Sequence, residues 1–488
     1  MNHYSDINIE NVSSTCKKLV RDLHLPGLSV GIVYKDDLVF SEGFGFADIE
    51  TRKIQTPSLR QRIGSITKTM TGLCAMALVE EGKLSLNERV VDRLPDINIH
   101  GHADSLLIRH LMTHTNGIGE APTMHDYINP WRLFWSNYPN VPKVTESYPH
   151  GILVEVKPGT KYAYSNHAFN LLGEIIERVE DKSFDNILKD RIFRPLGMNN
   201  TDSYDKPHPD LTTGYHHAIS HDERDILDLW GLDLPEEDKL DGYNIKGEYS
   251  YVKTKASGAV QSSIYDMAIY ASMLLRQGKG IVNSNTFSFM KKPQWFPHPK
   301  LSGIGITFFN KDRYGQYTFY HGGAMVGGWH TQCTIIPEKG LAVLIHMNLW
   351  SPEFRSLIDS KILQAVLNAP PKEISLDQPD IKVLKSAVGV YEPESGHLTN
   401  YRMTSELGRV QITEEDGDLI LRSRRGSWRE GIRLSPFDID DPYLFALADK
   451  SPELSLLAFE PTINGEISGI RFGQLSHLTK NQSLDPWV

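Results

Sequence analysis

Cysteine is scarce in this chain of 488 residues. Cys16, Cys74 and Cys333 are odd in number, widely spaced and set in apolar surroundings, which argues against a disulfide framework and fits small core residues in a reducing compartment. Long apolar runs are also missing: none reaches 18 residues, so no membrane-spanning helix is expected. The first residues, Met1-Asn2-His3-Tyr4-Ser5-Asp6, are polar and lead into a helical pattern rather than the apolar core of a signal peptide, and a cytoplasmic location is the resulting expectation. No basic tract offsets the 61 acidic residues against 51 Lys and Arg, and a formal charge of −10 argues against nucleic acid or an anionic membrane as partner. A small-molecule or peptide substrate is the partner expected, with self-association into a homo-oligomer left open.

What is present is ordinary globular composition, 40% apolar and 23% charged, in a chain too long for one domain. Its most informative stretch is Gly64-Ser65-Ile66-Thr67-Lys68-Thr69-Met70, followed by the apolar run Leu73 to Val79 and closed by Gly82. This reads as a buried helix with Ser65 at its start, where unsatisfied N–H groups and the macrodipole stabilise negative charge. Lys68, at i+3, brings an amine beside the hydroxyl, and a desolvated lysine can take a proton from serine. Ser-x-x-Lys recurs at Ser14, Ser203, Ser250 and Ser288, so the motif alone decides nothing. Only the Ser65 copy opens a long apolar helix.

Before it, Ile9, Val12, Cys16, Leu19, Val20 and Leu23 mark a helix, and Leu28–Tyr34 with Leu38–Phe46 an antiparallel hairpin. After it, Ile108–Met112 predicts a short helix ending in Thr113-His114-Thr115-Asn116-Gly117; His110 and His114, four apart, fit hydrogen-bonded structural histidines better than a metal pair. Tyr164-Ser165-Asn166 precedes an amphipathic helix carrying Ala168, Phe169, Leu171, Leu172, Ile175, Ile176 and Val179; Tyr-x-Asn also occurs at Tyr127 and Tyr138, so position rather than spacing singles out Tyr164. Between His221 and Asp241 nine acidic residues face two basic ones, a solvated helix and loop, or else a lid or an assembly contact. Gly303–Phe309, Tyr317–His321, His330–Ile336 and Leu341–Met347 predict an antiparallel sheet.

At Asn368-Ala369-Pro370-Pro371 the composition changes. A domain is therefore expected over 1–368, a linker over 369–382 and a second domain over 383–488, where short β-patterned runs (Tyr401–Thr404, Val410–Thr413, Leu419–Ser423, Ile432–Leu434, Tyr443–Leu447, Leu456–Phe459, Ile467–Phe472) predict a small barrel.

Ser65-x-x-Lys68, Tyr164-Ser165-Asn166 and His321-Gly322-Gly323-Ala324, in that order, resemble the serine β-lactamase and penicillin-binding-protein family, and its class C, esterase and D-aminopeptidase-like branch in particular. The resemblance implies an α/β (α+β) fold in which an antiparallel sheet packs on a helical subdomain, and the C-terminal part resembles a lipocalin-like barrel. It implies that Ser65 is the acylated nucleophile, Lys68 its base and Tyr164 the proton relay. Asn166, His321, Gly322, Gly323 and Ala324 would bind substrate, the N–H groups of Ser65 and Ala324 forming the oxyanion hole. No metal or cofactor is implied. Where lactamases carry Lys-Thr-Gly this chain has His321-Gly322-Gly323, which removes a cation and a hydroxyl for a substrate carboxylate. An amidase or peptidase with D-residue preference is the leading expectation, beside a carboxylesterase, an acyltransferase or peptide cyclase, and an inactive binding protein on the same fold.

Overall fold

The computed structural model describes residues 7–123, 126, 134–136, 141–203, 206–217, 244–370, 373, 377, 379–393, 409–423, 428–448, 455–472 and 476–481. The Tyr401–Thr404 run, the acidic 221–241 segment and the Tyr-x-Asn copies at Tyr127 and Tyr138 lie outside them.

An eight-stranded antiparallel sheet organises the first part of the chain, in the spatial order Gly303–Ile304, Phe309–Arg313, Gln316–Met325, Trp329–Ile336, Leu341–Met347, Gly27–Tyr34, Asp37–Asp48 and Lys53–Ile54. Its central strands are buried along their whole length, because both faces are covered. The strand period of two decides which residue meets which cover. Ala342 and Leu344 join a core with helices Thr67–Glu80 and Ile264–Leu275, while Leu341, Val343, Ile345 and Met347 join one with helices Ile9–Asp22 and Pro352–Leu367. The three cysteines are free and buried in these cores, and burial pushes each thiol up to about 12, well away from reactivity.

One expected strand is two. Gly303–Phe309 breaks into Gly303–Ile304 and Phe309–Arg313, because Gly305 N–H bonds the Phe308 carbonyl at 2.8 Å and Thr307 takes a left-handed φ of +66°. Thr307 N–H is held by the Met112 carbonyl at 3.0 Å, and its side chain fills the space a Cβ on Gly72 would need. The break thus lets the serine helix approach the sheet.

Beyond helix Pro352–Leu367, a helix at Ile381–Ala387 leads into eight antiparallel strands closed in sequence order. Val390 to Pro393 pair with Leu478 to Asn481 to shut the barrel. Its interior alternates along each strand, with Val410 and Ile412, Leu419 and Leu421, Phe445 and Leu447, and Leu457 and Phe459 inside, joined by Val383 and Ala387 from the helix. The hairpin at Asp438–Asp441 touches the sheet domain through the contact of His298 with Asp441, 3.3 Å, and the ion pair Lys300–Asp438. Among the described residues no helix is long and apolar enough to cross a membrane.

Candidate active site

Ser65 sits in a short 3-10 turn, Gly64–Ile66, that runs directly into helix Thr67–Glu80. The helix is buried on every side from Thr67 to Leu78, and it ends with Gly82 in the left-handed region (φ +69°) while Lys83 N–H returns to the Leu78 carbonyl. A helix so enclosed is a rigid platform. Ser65 itself is half-buried, open enough for a substrate to reach, whereas Lys68 is fully buried.

The Lys68 amine lies 3.0 Å from Ser65 Oγ, 2.6 Å from Asn166 Oδ1 and 2.8 Å from the Ser257 carbonyl. Two of these partners can only accept and the third, a hydroxyl, can do either. As a neutral amine Lys68 donates its two protons to Asn166 and Ser257 and turns its lone pair to the Ser65 proton; as an ammonium it donates to all three. The same positions therefore serve both ends of a proton transfer. In two of the other copies the lysine points elsewhere: Lys17 approaches Glu42 at 4.0 Å, and Lys291 bonds Gln277 at 2.8 Å.

Asn166 begins helix Asn166–Glu180, whose N-cap Ser165 accepts from Ala168 N–H at 3.2 Å. Its amide is engaged at both ends, since Nδ2 donates to the fully buried Glu120 at 3.4 Å. That bond fixes which end faces Lys68. Tyr164, one residue before the cap, is half-buried; its ring lies with its centroid 4.9 Å from the Lys68 amine and stacks on His114 at 4.2 Å.

Across the cleft, strand Gln316–Met325 carries His321 to Ala324 past the start of the serine helix. Gly323 faces the Ile63 carbonyl, which accepts the Thr331 hydroxyl at 2.8 Å, and a Cβ on Gly64 would sit 2.8 Å from Ala324 N. Gly322 points to the opposite face, towards Gln332 and Arg355. His321 is 3% exposed and its Nδ1 donates to the Gly322 carbonyl at 2.6 Å, leaving Nε2 as a lone pair. Burial first, and the nearby Lys68 second, push its pKa down to about 3, so the ring is neutral in the working range.

Ser65, Lys68, Tyr164 and Asn166 are thus brought together beside His321, Gly323 and Ala324 of the strand, while Gly322 faces the other side of the sheet. Glu120 gave no signal in the sequence, His114 was expected only as a hydrogen-bonded structural histidine, and the Ser257 carbonyl carries no side-chain signature. His110, the other half of the His pair, accepts from Leu107 N–H at 3.2 Å. Among the described residues no group of three or more His, Cys, Asp or Glu is placed to hold a metal ion.

A serine hydroxyl at a helix start, backed by a buried lysine and flanked by a sheet edge, defines a serine hydrolase of the β-lactamase and transpeptidase-like fold. The Beta-lactamase family model matches residues 12–367, and the chain belongs to that family. It is 31% identical over 180 residues to Protein flp of Staphylococcus aureus (strain MW2), a match covering 36% of this chain and 35% of that one, so it spans about a third of the curated relative's length. The octameric penicillin-binding protein homologue from Pyrococcus abyssi matches in structure with a TM-score of 0.60 at 22% identity, covering 97% of this chain and all of the other (100%). The D-amino acid amidase from Ochrobactrum anthropi SV3, seen with L-phenylalanine amide, matches with a TM-score of 0.55 at 22% identity over 73% of this chain and 99% of that one.

Proposed function

We propose that the protein cleaves amides through an acyl-enzyme on Ser65, with preference for an acyl donor of D configuration. The observation that carries the reading is the 3.0 Å approach of a fully buried Lys68 amine to Ser65 Oγ, with Asn166 and the Ser257 carbonyl holding the amine in place. Lys68 removes the Ser65 proton as Oγ attacks the substrate carbonyl carbon. We assign the resulting oxyanion to the N–H groups of Ser65 and Ala324, a reading supported by how closely Gly64, the residue before Ser65, packs against Ala324. Tyr164 protonates the departing amine as the C–N bond breaks, its phenolate later takes a proton from the attacking water, and Lys68 returns its proton to Ser65 Oγ as the acid is released. Asn166 serves chiefly to seat Lys68.

The D preference is supported by the likeness to the Ochrobactrum amidase, and an amide rather than a lactam by His321. A neutral imidazole takes the place that the resemblance gives to the lysine with which lactamases grip a carboxylate, and losing one charge-assisted contact costs roughly 1.5–3 kcal/mol. Assembly into a homo-oligomer is a further proposal, prompted by the octameric Pyrococcus protein. Steady-state kinetics on paired D- and L-aminoacyl amides, nitrophenyl esters and nitrocefin test the reading. A D-aminoacyl amide should give the highest kcat/KM, and nitrocefin turnover above every amide and ester would restore a lactamase.

A further inference from the structure

We propose that His114 is a positioning residue that aims the Tyr164 phenol at the Ser65–Lys68 pair, an inference that rests on Tyr164 being the proton relay. His114 grips the backbone on both sides of Tyr164. Its carbonyl accepts from Ala163 N–H at 2.8 Å, and its Nδ1 accepts from Ser165 N–H at 3.1 Å. The backbone on each side of the tyrosine is thereby tied to one residue. The side-chain torsions that remain are restrained by the ring itself, stacked on Tyr164 with centroids 4.2 Å apart and planes at 24°.

The imidazole is in turn wedged. Phe169, in the first turn of the helix that Asn166 begins, packs on it at 5.3 Å, and Tyr162 meets it edge-on at 5.8 Å. His114 is fully buried and its φ is +53°, a left-handed conformation that non-glycine residues adopt at a cost and that turns its carbonyl and its ring towards the same loop. Because Nδ1 accepts from the backbone, a neutral ring carries its proton on Nε2. A relay acts only within hydrogen-bond reach, about 2.6–3.2 Å, so a modest swing of the phenol would disconnect it.

The test is a double-mutant cycle on the single-turnover acylation rate with a D-aminoacyl p-nitroanilide. His114→Asn keeps a side-chain acceptor and tolerates positive φ but removes the ring; it should lower kcat by roughly 10- to 100-fold with KM little changed. In a Tyr164→Phe background the same substitution should cost less than about 3-fold, since there is no phenol left to aim. Equal losses in both backgrounds would show that His114 is merely structural and overturn the proposal, as would a loss confined to KM. If His114→Asn does not fold, His114→Phe, which keeps a ring for the stack and loses the acceptor, enters the same cycle with the same criterion. A Tyr164→Phe variant as fast as the unaltered enzyme would overturn the relay reading itself, and this proposal with it.

Discussion

Gly323 and Ile63 approach so closely that no side chain fits between them: a Cβ on Gly323 would overlap the Ile63 carbonyl oxygen, which already accepts the Thr331 hydroxyl. One residue further on, Gly64 takes a left-handed φ of +52° against Ala324. Two glycines therefore set the distance between the strand and the serine turn. Backbone cannot retreat as a flexible side chain can, so Gly323→Ala should push the strand off the helix start, costing about 1–3 kcal/mol and, by displacing Ala324 N–H, lowering kcat/KM on the order of 10²-fold. Thermal melts and steady-state kinetics check both. Full activity in this variant would separate the strand from the chemistry.

Lys68 and Tyr164 act on one proton path in this account. Lys68→Ala and Tyr164→Phe should each slow acylation by on the order of 10² or more, and the double variant should lose far less than the product of the two. Losses that multiply would show that the two side chains act independently.

Buried histidines set the acid limit of stability. Burial is the leading cause that holds His167 down to about 4 and His321 and His346 down to about 3, against an ordinary value of 6.5. Between pH 6.5 and about 4 the unfolded chain takes up protons at these positions while the folded chain does not. Stability is thus complete above 6.5 and lost as the pH falls, each group contributing at most about 1.4 kcal/mol per pH unit. Tm measured from pH 8 to 4.5 should hold steady and then fall below 6.5; a flat or rising Tm there would contradict the assignment.

Much of this was legible in residue pattern. The Ser65 helix declares itself because its apolar residues run all round, and Tyr164 because a long amphipathic helix follows it. The barrel was visible through period-two runs such as Val410–Thr413 and Leu419–Ser423. Its closing strands were not: Gly389–Pro393 is short and bounded by Gly and Pro, and Ser476–Asn481 is mostly polar. Glu120 stayed hidden because it lies in a stretch without periodicity, and the Ser257 contribution is a backbone carbonyl that any residue would supply. The break at Thr307 arises from packing against Met112 and Gly72, contacts made across more than a hundred residues of chain.

A covalent intermediate at Ser65 is the centre of the proposed chemistry, and intact-protein mass spectrometry during brief exposure to an activated D-aminoacyl ester measures it directly. One added acyl mass is expected, mapped by peptide digestion to the Gly64–Lys68 stretch and absent in Ser65→Ala together with fluorophosphonate labelling. An adduct that maps to Ser14, Ser203, Ser250 or Ser288, or that persists in Ser65→Ala, would contradict it.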